Sequence, residues 1–136
     1  MNVPLAKEGQ VSYVQAMDAT KSLFQESDLI PWRSGLFSLK YIRLMLRRSP
    51  SYGLFRKYMK QEMLKPYRKL GFFTKITDSI DDTDLRTDIV GWMCLLGYDD
   101  CKKQSNLLFK AYMDNSKMNP IDPGMLLCPA ASMLWS

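Results

Sequence analysis

The sequence predicts an all-α protein. Three observations point that way. Apolar residues recur at three- and four-residue intervals along most of the 136 residues, the spacing of a helix that buries one face. No stretch sustains the two-residue alternation of a half-buried strand bounded by turn residues. Proline, glycine and capping residues interrupt the pattern at similar intervals, leaving helix, short loop, helix units. Such units suit stacked antiparallel helix pairs, HEAT-like or α-solenoid-like. No residue-level repeat accompanies them, so this is an architecture and not a tandem repeat.

Five or six helices are expected. Val3–Glu8 reads as the end of one, stopped by Gly9. Ser12 suits the N-cap of a helix over Tyr13–Gln25, with Tyr13, Ala16, Met17, Leu23 and Phe24 near one face. Ile30 and Pro31 introduce Trp32–Arg48. There Leu36, Leu39, Tyr41, Ile42, Leu44, Met45 and Leu46 cover more than one face, which predicts a central helix with neighbours on two sides. Arg43, Arg47 and Arg48 crowd its last turns, where cations favour the helix dipole.

Ser49 and Pro50 break the chain before a helix over Ser51–Lys65, with Tyr52, Phe55, Met59 and Met63 as its stripe. Pro66 is expected to kink or end it, with a kinked continuation running until Gly71. Thr74–Asp82 reads as a polar connection. Asp82 or Thr83 then caps a helix over Asp84–Leu96, with Leu85, Ile89, Trp92, Met93 and Leu96 buried. Gly97 ends it. Asp99 suits the cap of the next helix, Asp100–Asp114, which carries Leu107, Leu108, Ala111 and Tyr112. Asn115–Pro123 is a loop, and Pro129 cuts short any helix begun at Pro123–Cys128.

Composition narrows the chemistry. The chain contains no histidine. Histidine is the usual general base near neutral pH and the commonest zinc ligand. Its absence removes the H-E-x-x-H zinc helix and every Ser-His or Cys-His nucleophile pair. No apolar run approaches the ~20 residues of a membrane helix, and Met1–Gln10 lacks the apolar centre of a signal peptide. With 46% hydrophobic residues the chain has enough apolar surface for one ordinary core. Its charge of +5 is uneven: Arg33 to Lys75 holds 12 cations against Glu62 alone, a net +11, while Ile76 to Asp100 holds seven aspartates against Arg86, a net −6. Such asymmetry raises a nucleic-acid partner. No nucleic-acid motif accompanies it, so neighbouring helical layers of opposite charge explain it better.

Other features have bland readings that outweigh sharp ones. Tyr52, Tyr58 and Tyr67 could stack on a ligand, but aromatics at helical spacing usually belong to the core. Ten methionines scattered over the helices read as core filler. Asp78, Asp81, Asp82 and Asp84 lack the glycine and terminal glutamate of a calcium loop and read as a solvated loop and helix start. Cys94 and Cys101 flank a tight Gly97–Asp100 turn. Their spacing allows either a disulfide or two buried thiols. Cys128 is then left without a partner, as when its partner lies outside the sequence.

Four stretches, in order from about residue 3 to residue 128, resemble the C-terminal helical domain of the aminopeptidase N family of zinc gluzincins. They are Tyr13–Leu46 with its Ile30-Pro31-Trp32 loop, Ser51–Phe72 with Met63-Leu64-Lys65-Pro66, the Cys94–Cys101 segment, and Asn119-Pro120-Ile121-Asp122-Pro123 before Cys128. The likeness is nearest in character to animal and insect membrane-bound ectopeptidases. It implies a disulfide between Cys94 and Cys101. It implies that residues 1–128 are an incomplete part of that helical domain and that residues 129–136 are a divergent tail, where Leu134 and Trp135, with Leu126 and Leu127, lack their covering helices.

The resemblance also implies a parent enzyme that removes N-terminal residues from peptides with zinc. The parent's H-E-x-x-H and G-x-M-E-N motifs are absent here, so no catalytic, cofactor-binding or metal residue is assigned to this chain. The implied role is a non-catalytic lid and interface segment. Its partners would be the parent's catalytic domain, the C-terminal end of a peptide substrate and a second copy in a homodimer, without nucleic acid. The implied location is extracellular, as a plasma-membrane ectodomain. The alternative is a free-standing all-α interaction module whose basic face binds acidic protein or nucleic acid.

Overall fold

The computed structural model describes residues 13–25 and 28–115. These residues form five α-helices and no strand: α1 Tyr13–Leu23, α2 Leu29–Leu46, α3 Tyr52–Leu70, α4 Ile80–Leu95 and α5 Asp99–Asp114. The expected helix at Val3–Glu8, the Ser12 cap, Cys128, the Asn119–Pro123 motif and the 129–136 tail lie outside the described residues. The chain divides into two compact units, residues 1–63 and 64–136, with the boundary inside α3.

In the first unit α1 packs against α2. Leu23, Phe24, Trp32, Leu36, Leu39 and Ile42 are buried there, and the Phe24 ring meets Trp32 edge-on at 5.6 Å. Gly35 is a point of close approach, since a Cβ at that position would run into the Leu23 side chain. α2 begins at Leu29, earlier than the expected Trp32. Asp28 is extended at φ −87°, ψ 140°, and Pro31 falls in the first turn, where its missing N–H has no intrahelical partner to lose. The expectation that α2 is covered on two sides is corrected among the described residues: Leu44 and Met45 are exposed, and the buried face is a single one.

The Leu46–Tyr52 connection turns tightly. The Ser49 amide donates to the Leu46 carbonyl at 2.8 Å and the Tyr52 amide to the Ser49 carbonyl at 3.0 Å. α3 then runs through Pro66 to Leu70, so Pro66 does not end it. Proline removes one helical hydrogen bond, but its fixed φ is itself helical. The stop comes at Gly71, with φ 75°, whose amide donates to the Tyr67 carbonyl at 2.9 Å.

In the second unit α4 starts earlier than expected. Its N-cap is Ser79, replacing the expected Asp82 or Thr83. The Asp82 amide donates to Ser79 Oγ at 3.0 Å, and the Ser79 amide donates back to Asp82 Oδ2 at 3.2 Å. This is a capping box with aspartate in place of the usual glutamate. α4 closes with a Schellman motif: the Tyr98 amide donates to the Met93 carbonyl at 2.9 Å and the Gly97 amide to the Cys94 carbonyl at 3.0 Å, with Gly97 at φ 77°. The cap of α5 is Tyr98, making Asp99 the first helical residue and not the cap.

α4 packs against α5. Leu85, Ile89, Met93 and Leu96 are buried and Trp92 half-buried. On α5 the outcome differs from expectation: Leu107 and Ala111 are exposed, and Leu108 and Tyr112 are half-buried. The buried residues are Cys101 and Ser105, small side chains that let the backbones of the pair approach closely.

Candidate functional site

Two features stand out, one in each unit. In the first unit an apolar groove of about 750 Å³ runs between α1, the end of α2 and the start of α3. Val14, Met17, Ile42, Met45, Leu54 and Phe55 form its walls. Asp18 and Lys21, paired at 2.9 Å, stand at its edge. The hydrogen bond that the Lys21 ammonium donates to Asp18 raises its pKa above the ordinary value, and the neighbouring negative charge adds to this. The floor is fixed by Tyr58. Thr20 Oγ1 gives its proton to the Met17 carbonyl at 2.6 Å, so the Tyr58 hydroxyl, 3.2 Å from Thr20 Oγ1, is the donor in that contact. The Tyr58 ring meets Phe24 edge-on at 6.4 Å.

In the second unit the Sγ atoms of Cys94 and Cys101 are bonded, with Cα atoms 5.2 Å apart. The bond ties the last turn of α4 to the first turn of α5. Ser105 Oγ lies 3.2 Å from Cys94 Sγ. Close by, Tyr67 donates to Asp100 Oδ2 at 2.9 Å and packs edge-on against Tyr98, with ring centroids 5.3 Å apart. Burial, and then the bond to Asp100, push the Tyr67 phenol well above its ordinary value.

Arg86 lies inside the same unit. Nε and Nη2 both donate to the Leu70 carbonyl, at 3.1 and 3.0 Å, and Nη1 donates to Asp78 Oδ2 at 2.6 Å. Asp78 also accepts from the Lys75 amide. These contacts hold its carboxyl below the ordinary range, the Arg86 bond contributing most. Asp82 is held low in the same way by the Ser79 hydroxyl and then the Ser79 amide.

The residues singled out from sequence are thereby placed. Tyr58 and Tyr67 are tied into their own units, and Tyr52 stacks on Phe55 at 6.3 Å with the Arg56 guanidinium 6.0 Å from its ring. Asp78 and Asp82 serve an ion pair and a helix cap. Among the described residues no three His, Cys, Asp or Glu side chains gather as a metal ion would require. Two of the three cysteines are joined to each other, which takes both thiolates out of any metal site. No helix among the described residues is long and apolar enough to cross a membrane. The groove and the Arg86 cluster were missed from sequence. A lone arginine within an acidic stretch, Asp78–Asp88, was the available signal for the second.

The sequence profile of the ERAP1-like C-terminal domain matches residues 3–128. The chain belongs to that family. It is 31% identical over 128 residues to aminopeptidase N of Canis lupus familiaris, and 29% identical over 125 residues to aminopeptidase N of Oryctolagus cuniculus, covering 89% of this chain in each case. It is 30% identical over 118 residues to aminopeptidase N of Plutella xylostella, covering 85% of this chain. The chain spans 12–13% of the length of these relatives.

Proposed function

We propose that the chain serves as a non-catalytic helical lid and interface segment of a zinc metallo-aminopeptidase whose parent protein removes N-terminal residues from peptides. The observation that supports this most is the family match over residues 3–128, in a chain that spans 13% of aminopeptidases such as that of Oryctolagus cuniculus. Paired helices suit a part that shapes a chamber while another domain breaks the bond. In this reading the zinc is held by that other domain of the parent.

The role is steric and electrostatic. Paired helices form a wall, and the cations between Arg33 and Lys75 attract the carboxylate at the far end of a peptide. The partners are the catalytic domain, that peptide end and a second copy of the chain. The disulfide fits an oxidising compartment, in keeping with an ectodomain at the plasma membrane.

Sequencing the transcript that encodes this chain tests the reading. An in-frame upstream region encoding H-E-x-x-H and G-x-M-E-N is expected. A complete transcript without them, together with salt-sensitive oligonucleotide binding by the chain alone, would instead favour the free-standing basic module.

A further inference from the structure

The connection between α3 and α4 carries five consecutive exposed residues: Phe73, Thr74, Lys75, Ile76 and Thr77. Phe73 is 53% exposed and Ile76 completely so. Both ends of the stretch are pinned. Phe72 is buried before it, and Asp78 after it is bonded to the buried Arg86 guanidinium. The chain therefore leaves the core at Phe72 and returns at Asp78, and the side chains between add nothing to the interior.

Lys75 stands in the middle of this stretch. Among the described residues, every other lysine and arginine lies in a helix, apart from Arg47 and Arg48. Those two sit in the tight turn between α2 and α3, wound by the bonds from the Ser49 and Tyr52 amides, and Arg47 is itself engaged. An endopeptidase must draw the bond it cuts, with its neighbours, into extended form. At Lys75 that releases two exposed bonds: the Asp78 amide from the Lys75 carbonyl, and the Lys75 amide from the Asp78 carboxylate. At a helical cation it unwinds helix turns, and at Arg48 it frays two helix ends. The connection therefore opens first.

We propose that the Lys75–Ile76 bond is a processing site for a serine endopeptidase of trypsin-like specificity, whose acidic pocket takes the Lys75 ammonium. Water adds across the amide, leaving a carboxylate on Lys75 and a new ammonium on Ile76. The pieces stay together. Arg86, beyond the cut, donates twice to the Leu70 carbonyl before it and once to Asp78 after it. Tyr67 donates to Asp100 across the same break. All three cysteines lie after the cut, so no disulfide within the chain spans it and the two-chain form is held by packing and these bonds.

The test is limited digestion with pancreatic trypsin under native conditions. It uses the purified 136-residue chain and the longer protein encoded by the complete transcript. N-terminal sequencing should read Ile76, Thr77 and Asp78 as the first new terminus of the chain. That cut should run about tenfold or more ahead of the next, since cleavage follows the population of the open form. Residues 1–75 and 76–136 should co-elute on native size exclusion and separate in denaturant without reductant. Lys75→Gln should remove this cut and leave the circular dichroism and the later cuts unchanged, and Lys75→Arg should keep it. A first cut elsewhere, simultaneous cutting at many cations, or separation of the pieces under native conditions would overturn the site. So would resistance of this bond in the longer protein. The inference rests on the connection alone: a complete transcript without the metallopeptidase motifs would sink the aminopeptidase reading, and the digestion would still decide the site.

Discussion

Arg86 and Asp78 form an ion pair of 2.6 Å whose guanidinium is 1% exposed. The same guanidinium donates twice to the Leu70 carbonyl. One side chain thus joins the end of α3, the connection after it and the interior of α4, and it satisfies a carbonyl that the helix end leaves open.

Arg86→Ala should destabilise the chain by about 3 kcal/mol, because it strips a charged donor from a buried site and leaves the Leu70 carbonyl short of partners. Chemical denaturation followed by circular dichroism measures this. Arg86→Lys should recover only part of the loss, since one ammonium cannot reproduce the planar fork.

Acid should weaken the second unit. The Asp78 and Asp82 carboxyls are both held below their ordinary 3.8 in the folded chain. A group held low contributes stability that is complete above its unfolded value and is lost as pH falls through its folded one. The thermal midpoint should therefore be insensitive to these two groups near neutrality and decline below about pH 4. Asp78→Asn and Asp82→Asn should each flatten that decline.

Tyr67 should remain un-ionised through alkaline conditions that ionise exposed tyrosines, because burial and the bond to Asp100 favour the neutral phenol. Its contribution is intact below the ordinary value of 10.0 and is lost as pH rises beyond it. Ultraviolet titration should show one late phenol, absent in Tyr67→Phe. That variant keeps the ring against Tyr98 and should cost about 1 kcal/mol, the scale of one hydrogen bond.

Reducing Cys94–Cys101, or replacing both with serine, should cost about 2–3 kcal/mol in the loop-entropy account of a short closed loop. Thermal melts with and without reductant measure it. The capping and Schellman bonds around the turn are independent of the bridge, so the α4–α5 pair should keep its helix content when reduced.

Gly35→Ala tests the α1–α2 contact. Alanine gains about 1 kcal/mol of helix propensity over glycine, but its Cβ would meet Leu23, which is buried. Overpacking costs about 1–3 kcal/mol, so a net loss of stability is expected. Adding Leu23→Ala should make the two substitutions non-additive, with Gly35→Ala better tolerated in that background.

The sequence by itself determined the helical class, the order of the helices and most of the core. Spacing along one chain carries that information: Phe55, Met59 and Met63, or Leu85, Ile89 and Met93, must share a face once the backbone is helical. It also determined that a histidine-free chain holds no histidine-based chemistry. Tertiary structure decided which apolar face of α2 is covered. Two faces of one rod look alike in sequence, and only α1 lying against Gly35 makes Leu36 and Leu39 interior while Phe37 and Leu44 stay outside. Tertiary structure likewise decided that Arg86 is buried, because a lone cation among aspartates gains a place in the interior only when a helix end and a carboxylate are folded to meet it.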